Sequence, residues 1–253
     1  MRKTTVLLLA SKWKYHTVEW SPKVAAIEPK INCSHFILPD LPSVYSPDDR
    51  AKYLSDTAPK QRILTVSTCQ HTPETLKKIS ADFKADRILL VGGNNKTRDT
   101  LSTVEAAKLL KDISDIEIWG VANPNNPTSL ATVEEKLRAG ITGIVTQPLL
   151  ASHSLDVFES YPRDDSSTTY IAGLAMPTTA KNLQFWCRLL EQPELEKDPL
   201  FQAHLAFFSQ PYYTSIAWIG RELENLSTMA TIDGVHFMPL GNVDDLQTIF
   251  RRI

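Results

Sequence analysis

Cysteine is scarce in this chain. Cys33, Cys69 and Cys187 are the only three in 253 residues, and they stand far apart. An odd number without metal-type spacing gives no disulfide framework and no zinc site, and it fits a reducing, cytoplasmic setting. Long apolar runs are also missing: nothing approaches the ~20 residues a membrane span needs. The start, MRKTTVLLLASKWKYH, has an apolar core of only five residues, Val6 to Ala10. Trp13 and Lys14 follow where a signal peptide would place small residues for cleavage. Residues 1–13 are therefore expected to form a short N-terminal helix.

Positive charge is not in excess. A net charge of −2 removes the basic footprint of a nucleic-acid or anionic-membrane partner. His16, His35, His71, His153, His204 and His236 form no HxxxH or HExxH pattern, so no metal is expected. Oligomeric state is left open, a homo-oligomer included.

What is present is a normal globular share of apolar residues, 42%, enough for a sizeable core. Eight short apolar runs recur, at 17–20, 35–38, 62–66, 87–91, 117–121, 143–146, 169–174 and 234–239. Helix-like stretches lie between them at 48–56, 73–84, 98–112, 128–139, 178–191 and 212–230. In 128–139, Leu130, Val133 and Leu137 recur at helical steps with charges elsewhere. Thr72-Pro73 opens one helix with proline in its first turn, and Gly140 closes another.

Strands alternating with helices imply a parallel sheet. Eight units in this length predict one (β/α)8 TIM barrel domain over 1–253. A doubly wound open sheet competes, but its first turn would carry a glycine-rich phosphate loop. Here that turn is Ser21-Pro22-Lys23. The longest irregular stretch, 193–211, is expected to be a loop over the barrel mouth.

Chemistry is sought at strand ends. In TVEWSPK, Val18 and Trp20 share one face of the strand, and Thr17 and Glu19 the other. That puts Glu19 inside the barrel near its C-terminal mouth, where barrel enzymes hold catalytic groups. A glutamate paired with a buried Lys or Arg, or one on a frayed strand end, fits the pattern equally. LLVGGNNKT offers Gly92 and Gly93 for close backbone approach and Asn94 and Asn95 as amides. GVANPNNPTS is a stiff, amide-rich turn in which Thr128 or Ser129 is placed to cap the next helix. Structural turn chemistry explains both stretches as well. GIVTQPLL sets Gln147 after a strand, with one acceptor and two donors for an amide-like ring edge. Cys69 has no partner histidine identifiable from spacing and reads as a small buried group. His71 is assigned to a loop, and His35 and His236 to strands as core or supporting residues.

Taken in order, these strand ends resemble the methylenetetrahydrofolate reductase family. The similar segments are LASKWKYHTVEWSPK, STCQHTPETL, DRILLVGGN, AGITGIVTQPLL, IAGLAMPTTAKNLQFW and GVHFMPLGN, and they span nearly the whole chain. The resemblance implies a (β/α)8 barrel that uses FAD and NAD(P)H to reduce 5,10-methylenetetrahydrofolate to 5-methyltetrahydrofolate. It implies that Glu19 is the acid that protonates the folate, and that Gln147 and Asn94 contact it. It implies FAD contacts at Thr68, Gly92, Gly93, Asn123, Asn126 and Lys136. The chain departs from the family pattern mainly on the flavin side. An Arg-Gly-Asp end has become Gly92-Gly93-Asn94, Val66 replaces a histidine, and an Arg-Lys pair has become Glu135-Lys136. Lost cations remove charge-assisted bonds to phosphate. A folate-binding barrel without flavin, which carries a one-carbon unit or serves a partner protein, is the alternative expectation.

Overall fold

The protein is described from a computed structural model covering residues 12–40, 46, 53, 61–82, 87–92, 99–163, 167–210, 214–240 and 242–251. The predicted N-terminal helix falls almost wholly outside them. Lys12 and Trp13, its described end, are not helical. The expected helix at 48–56 likewise lies outside, apart from Tyr53, which is helical.

All eight predicted strands form, and they close into a barrel in sequence order, each parallel to its neighbours. They are β1 (Tyr15–Glu19), β2 (His35–Leu38), β3 (Gln61–Ser67), β4 (Arg87–Val91), β5 (Glu117–Ala122), β6 (Gly143–Pro148), β7 (Thr169–Ala175) and β8 (Gly234–Met238). The described helices are α1 (Pro22–Ala25), α2 (Pro73–Asp82), α3 (Thr103–Ile113), α4 (Ser129–Arg138), α5 (Ser154–Glu159), α6 (Ala180–Leu189), α7 (Pro199–Phe208), α8 (Ser215–Thr228) and α9 (Val243–Phe250). None is long and apolar enough to cross a membrane.

The caps follow from local chemistry. Pro73 opens α2, and the Thr75 N–H donates to Thr72 Oγ1. Ser102 and Glu105 form a reciprocal capping box on α3. Gly140 follows α4 with φ +94°, a conformation cheap only for glycine. Thr128 takes the N-cap position of α4, but its hydroxyl donates to Asn126 Oδ1 instead of capping the helix, and the Ser129 hydroxyl pairs with Tyr161.

Alternation along the strands sorts the core. Outward residues such as Val18, Trp20, Leu64, Ile88 and Ile144 pack under the helices. Inward residues Tyr15, Ile37, Ile63, Leu89, Trp119, Val145 and Ile171 fill the barrel. Gly143 makes room for Trp119, since a Cβ there would lie 2.5 Å from the indole. At the N-terminal end of the barrel, Arg87 bonds Glu117 and His35 at 2.6 Å each and lies over the Trp119 ring. The half-buried guanidinium thus ties β2, β4 and β5 together at that end.

The stretch 193–211 is not irregular. It holds a 3₁₀ turn, Pro193–Lys197, and α7. Both prolines stand at first-turn positions, where a missing N–H does no harm. With α6 these elements form a cap over the C-terminal ends of β6, β7 and β8. Leu183, Trp186, Cys187, Leu195 and Phe201 bury against Leu150, Ala151, Ala175 and Met238 in a separate small core. Asp198 fixes the cap: it accepts from the Ser152 N–H and hydroxyl and from the first N–H groups of α7.

Candidate functional site

β1 carries Glu19 to the mouth and stops there. Ser21 caps α1 by accepting from the Val24 N–H, and Pro22 occupies the first helical turn. Tyr15 belongs to the barrel interior and Val18 to the outer core, so Glu19, in phase with Tyr15, faces inward. The expected placement of this carboxyl is therefore observed. Its side chain is half-buried: dense protein surrounds it, with residual access through the mouth. Among the described residues it has no hydrogen-bond or ion-pair partner, so it is not the mate of a described buried cation. Burial raises its pKa to about 7, which leaves a proton available near neutrality.

Beside it, on β8, His236 pairs in register with Thr17. His236 Nδ1 lies 2.9 Å from Thr17 Oγ1. Burial lowers its pKa to about 4, partly opposed by a bond with the Thr17 backbone, so the imidazole is neutral at physiological pH. On adjacent strands, then, a neutral imidazole stands beside a carboxyl that is about half protonated near pH 7.

At the C-terminal ends of β4, β5 and β6 lies a cavity of about 510 Å³, lined by neither Glu19 nor His236. It brings together five of the residues singled out from sequence: Gly92, Asn123, Asn126, Lys136 and Gln147. Gln147 makes no side-chain hydrogen bond with any described residue. The C-terminal end of α6, with Leu189 half exposed, forms the opposing wall. Because α6 starts just past the end of β7 and its last turn lines this cavity, it lies across the mouth and does not run down the outside of the barrel. Lys136 runs its stem along Gly120 and donates from Nζ to the Val121 carbonyl at 2.5 Å. Burial lowers its pKa to about 8, opposed by neighbouring Glu135.

Other expected residues are placed elsewhere. Thr68 is fully buried, and its hydroxyl donates to the Gly92 carbonyl, tying β3 to β4; it does not line the cavity. Gly93 and Asn94 lie outside the described residues. Asn123 and Asn126 line the cavity, but their side-chain oxygens are engaged in the turn itself. Asn123 Oδ1 accepts from Asn125, and Asn126 Oδ1 accepts from Thr128. Asn125, which no sequence pattern marks, is the structural centre of this turn. Cys69 is buried, as expected.

Sequence reasoning also missed Asp40, two residues beyond β2. It is buried, accepts from the Ser67 N–H at 2.7 Å, and its Oδ2 lies 3.2 Å from His71 Nε2. An acid just past a strand end was the available signal. Its histidine partner is 31 positions away and invisible to local patterning.

Of the residues expected to contact flavin, Gly92, Asn123, Asn126 and Lys136 line the cavity; of those expected to contact folate, Gln147 does. FAD carries a pyrophosphate, and Lys136 is the one described cation lining the cavity. Two of the amide oxygens intended for the cofactor belong to the loop.

The fold is a (β/α)8 barrel, with Glu19, Gln147 and the cavity at the C-terminal ends of its strands. No protein family matches the sequence, and no curated protein sequence does. Solved structures do match. One is an uncharacterized protein from Clostridium thermocellum that binds two copies of 5-methyl-5,6,7,8-tetrahydrofolic acid. It is 14% identical with a TM-score of 0.63, over 99% of this chain and 98% of that one. A phosphonopyruvate hydrolase matches at 9% identity and TM-score 0.53, over 100% of this chain and 86% of its own. A 2,3-dimethylmalate lyase of the PEP mutase/isocitrate lyase superfamily matches at 10% and 0.52, over 98% and 83%. At these identities the likeness is one of fold.

Proposed function

We propose that this protein binds a reduced folate in the barrel mouth and uses Glu19 as an acid in one-carbon chemistry on it. The observation that carries the reading is Glu19 itself: an inward carboxyl at a strand end, without a described partner, with its pKa raised to about 7. Such a group donates a proton to a ring nitrogen and makes that nitrogen a better leaving group from the one-carbon unit. The carboxylate left behind then stabilises the cation it has formed. Gln147 supplies donors and an acceptor to the pterin edge. Support also comes from the methyltetrahydrofolate-binding barrel that matches this chain almost end to end.

Flavin-dependent reduction, with FAD as hydride donor and NAD(P)H as electron source, is the narrower form of this reading. The cavity's single described cation favours the flavin-free form. The absorbance spectrum of the isolated protein separates them: a yellow protein bleached by NAD(P)H supports reduction. A colourless protein that binds 5-methyltetrahydrofolate supports a folate-binding barrel without flavin.

The test of the shared core is calorimetric titration with 5-methyltetrahydrofolate, together with turnover of 5,10-methylenetetrahydrofolate by wild type and Glu19→Gln. Binding by both, with turnover lost only in the variant, is expected. No folate binding by wild type, or normal turnover by the variant, overturns the assignment.

A further inference from the structure

We propose that the site is built for a ligand with two unlike ends. An uncharged, hydrogen-bonding ring sits in the barrel interior between Glu19, His236 and Gln147, and an anionic end is carried outward to Lys136. The inference rests on the reduced-folate reading, under which the anionic end is the glutamyl carboxylate of the folate tail.

The interior half of the claim follows from which charges are present. Among the described residues, the inward side chains in the C-terminal half of the barrel include no lysine or arginine. Arg87 lies at the other end, held by Glu117 and His35. Among the described residues an anion inside the mouth would therefore meet no counter-charge, which is costly. Glu19 and His236 instead offer a proton donor and a neutral imidazole, on strands paired through Thr17 and His236. The His236 ring is nearly buried, yet its Nε2 touches open space: it has no partner among the described residues and is not one of the fully enclosed unpaired atoms.

The outer half follows from Lys136. It lines the same cavity as Gln147, so one ligand can touch both. Its ammonium has three donors, of which the Val121 carbonyl takes one. Lys136 makes no ion pair with a described residue, although Glu135 and Glu191 also line the cavity. The stem is confined against Gly120, so the charge is held at the rim of β5 and does not swing into solvent. A cation fixed at a cavity wall with donors to spare is suited to a carboxylate.

The experiment uses 5-methyltetrahydrofolate and 6-methyltetrahydropterin, the same ring system without the tail. Their affinities are measured calorimetrically for wild type, Lys136→Met and Lys136→Arg, at low and high salt, with circular dichroism as the folding control. Lys136→Met is expected to weaken the folate by about ten- to a hundredfold, the loss of one charge-assisted hydrogen bond. It should leave the tail-less pterin within about twofold, Lys136→Arg should retain most folate affinity, and high salt should weaken only the wild-type and Arg complexes with folate. Equal effects of Lys136→Met on both ligands, or none on either, overturn the inference while folate binding stands. A wild-type folate affinity that does not respond to salt overturns it in the same way. If wild type binds neither ligand, the folate reading fails and this inference fails with it.

Discussion

Thr17 Oγ1 and His236 Nδ1 lie 2.9 Å apart across the seam where β8 meets β1 and closes the barrel. The bond spans 219 positions of sequence and fixes the imidazole directly below the Glu19 layer. His236 titrates near 4 in the fold against 6.5 when unperturbed. The stability it contributes is therefore present above pH 6.5 and is lost as pH falls through about 4. Thr17→Val removes the hydroxyl and leaves a buried ring nitrogen unpaired. It should cost about 1–2 kcal/mol. Urea midpoints of Thr17→Val and wild type check this. Equal midpoints would mean the pair adds nothing to the closure of the barrel.

Glu19 has the opposite pH dependence. Its pKa is about 7 in the folded chain and 4.5 without burial. Folding binds a proton between those values, so its stabilising contribution is complete below pH 4.5 and is lost as pH rises through 7. Glu19→Gln abolishes this dependence. The variant should match wild type in stability at pH 4 and exceed it at pH 8 by about 1–3 kcal/mol. Urea melts at the two pH values measure the difference. Equal stability at pH 8 would place the carboxylate in water and remove the basis for its acid role.

The alternation Val18, Glu19, Trp20 was legible because a strand sorts its faces with period two, and apolar residues declare the outer one. The strand ends were legible for the same reason, and all eight strands lie within a few residues of the apolar runs. The cap was not. Pro193 and Pro199 read as breakers, and Leu195 and Phe201 gain their burial from Leu150 and Met238, which are distant in sequence. The supporting bonds of the site were equally hidden. Asp40 with His71, and Thr17 with His236, meet only once the barrel closes. Asn123 and Asn126 looked like ligand groups because side-chain amides serve turns and ligands with the same atoms. Only the geometry shows their oxygens engaged in the loop.

That loop makes Asn125 a sensitive position. Its Oδ1 accepts from the Leu150 and Ala151 N–H groups, and its Nδ2 donates to the Pro148 carbonyl. The side chain thus clamps the segment that follows Gln147. Asn125→Ala leaves buried backbone groups unpaired and should cost about 2–4 kcal/mol. Gln147→Ala leaves the clamp intact. It should leave stability nearly unchanged while weakening folate binding by about 1–2 kcal/mol. Thermal melts and calorimetry on the two variants separate scaffold from ligand contact. A destabilised Gln147→Ala protein would return that residue to the scaffold.

Gly173 bears on the same segment from β7. β6 and β7 pair regularly up to Val145 and Ile171, then the register shifts before Pro148 and Gly173. Gly173 N–H donates to Thr146 Oγ1 at 2.8 Å. A Cβ on Gly173 would stand 2.2 Å from the Thr146 carbonyl oxygen and 2.9 Å from the Gln147 carbonyl carbon. Both are backbone atoms, so β6 itself must move, and Gln147 moves with it. Gly120 is the contrasting case: a Cβ there first meets the end of the Ile141 side chain, at 3.0 Å, which can turn aside. Gly173→Ala should therefore cost about 1–3 kcal/mol or more and reduce folate affinity, whereas Gly120→Ala should stay below about 1.5 kcal/mol. Urea midpoints for the two variants decide. Equal midpoints would show that the irregular pairing of β6 with β7 yields easily, and that Gln147 is not held in place by it.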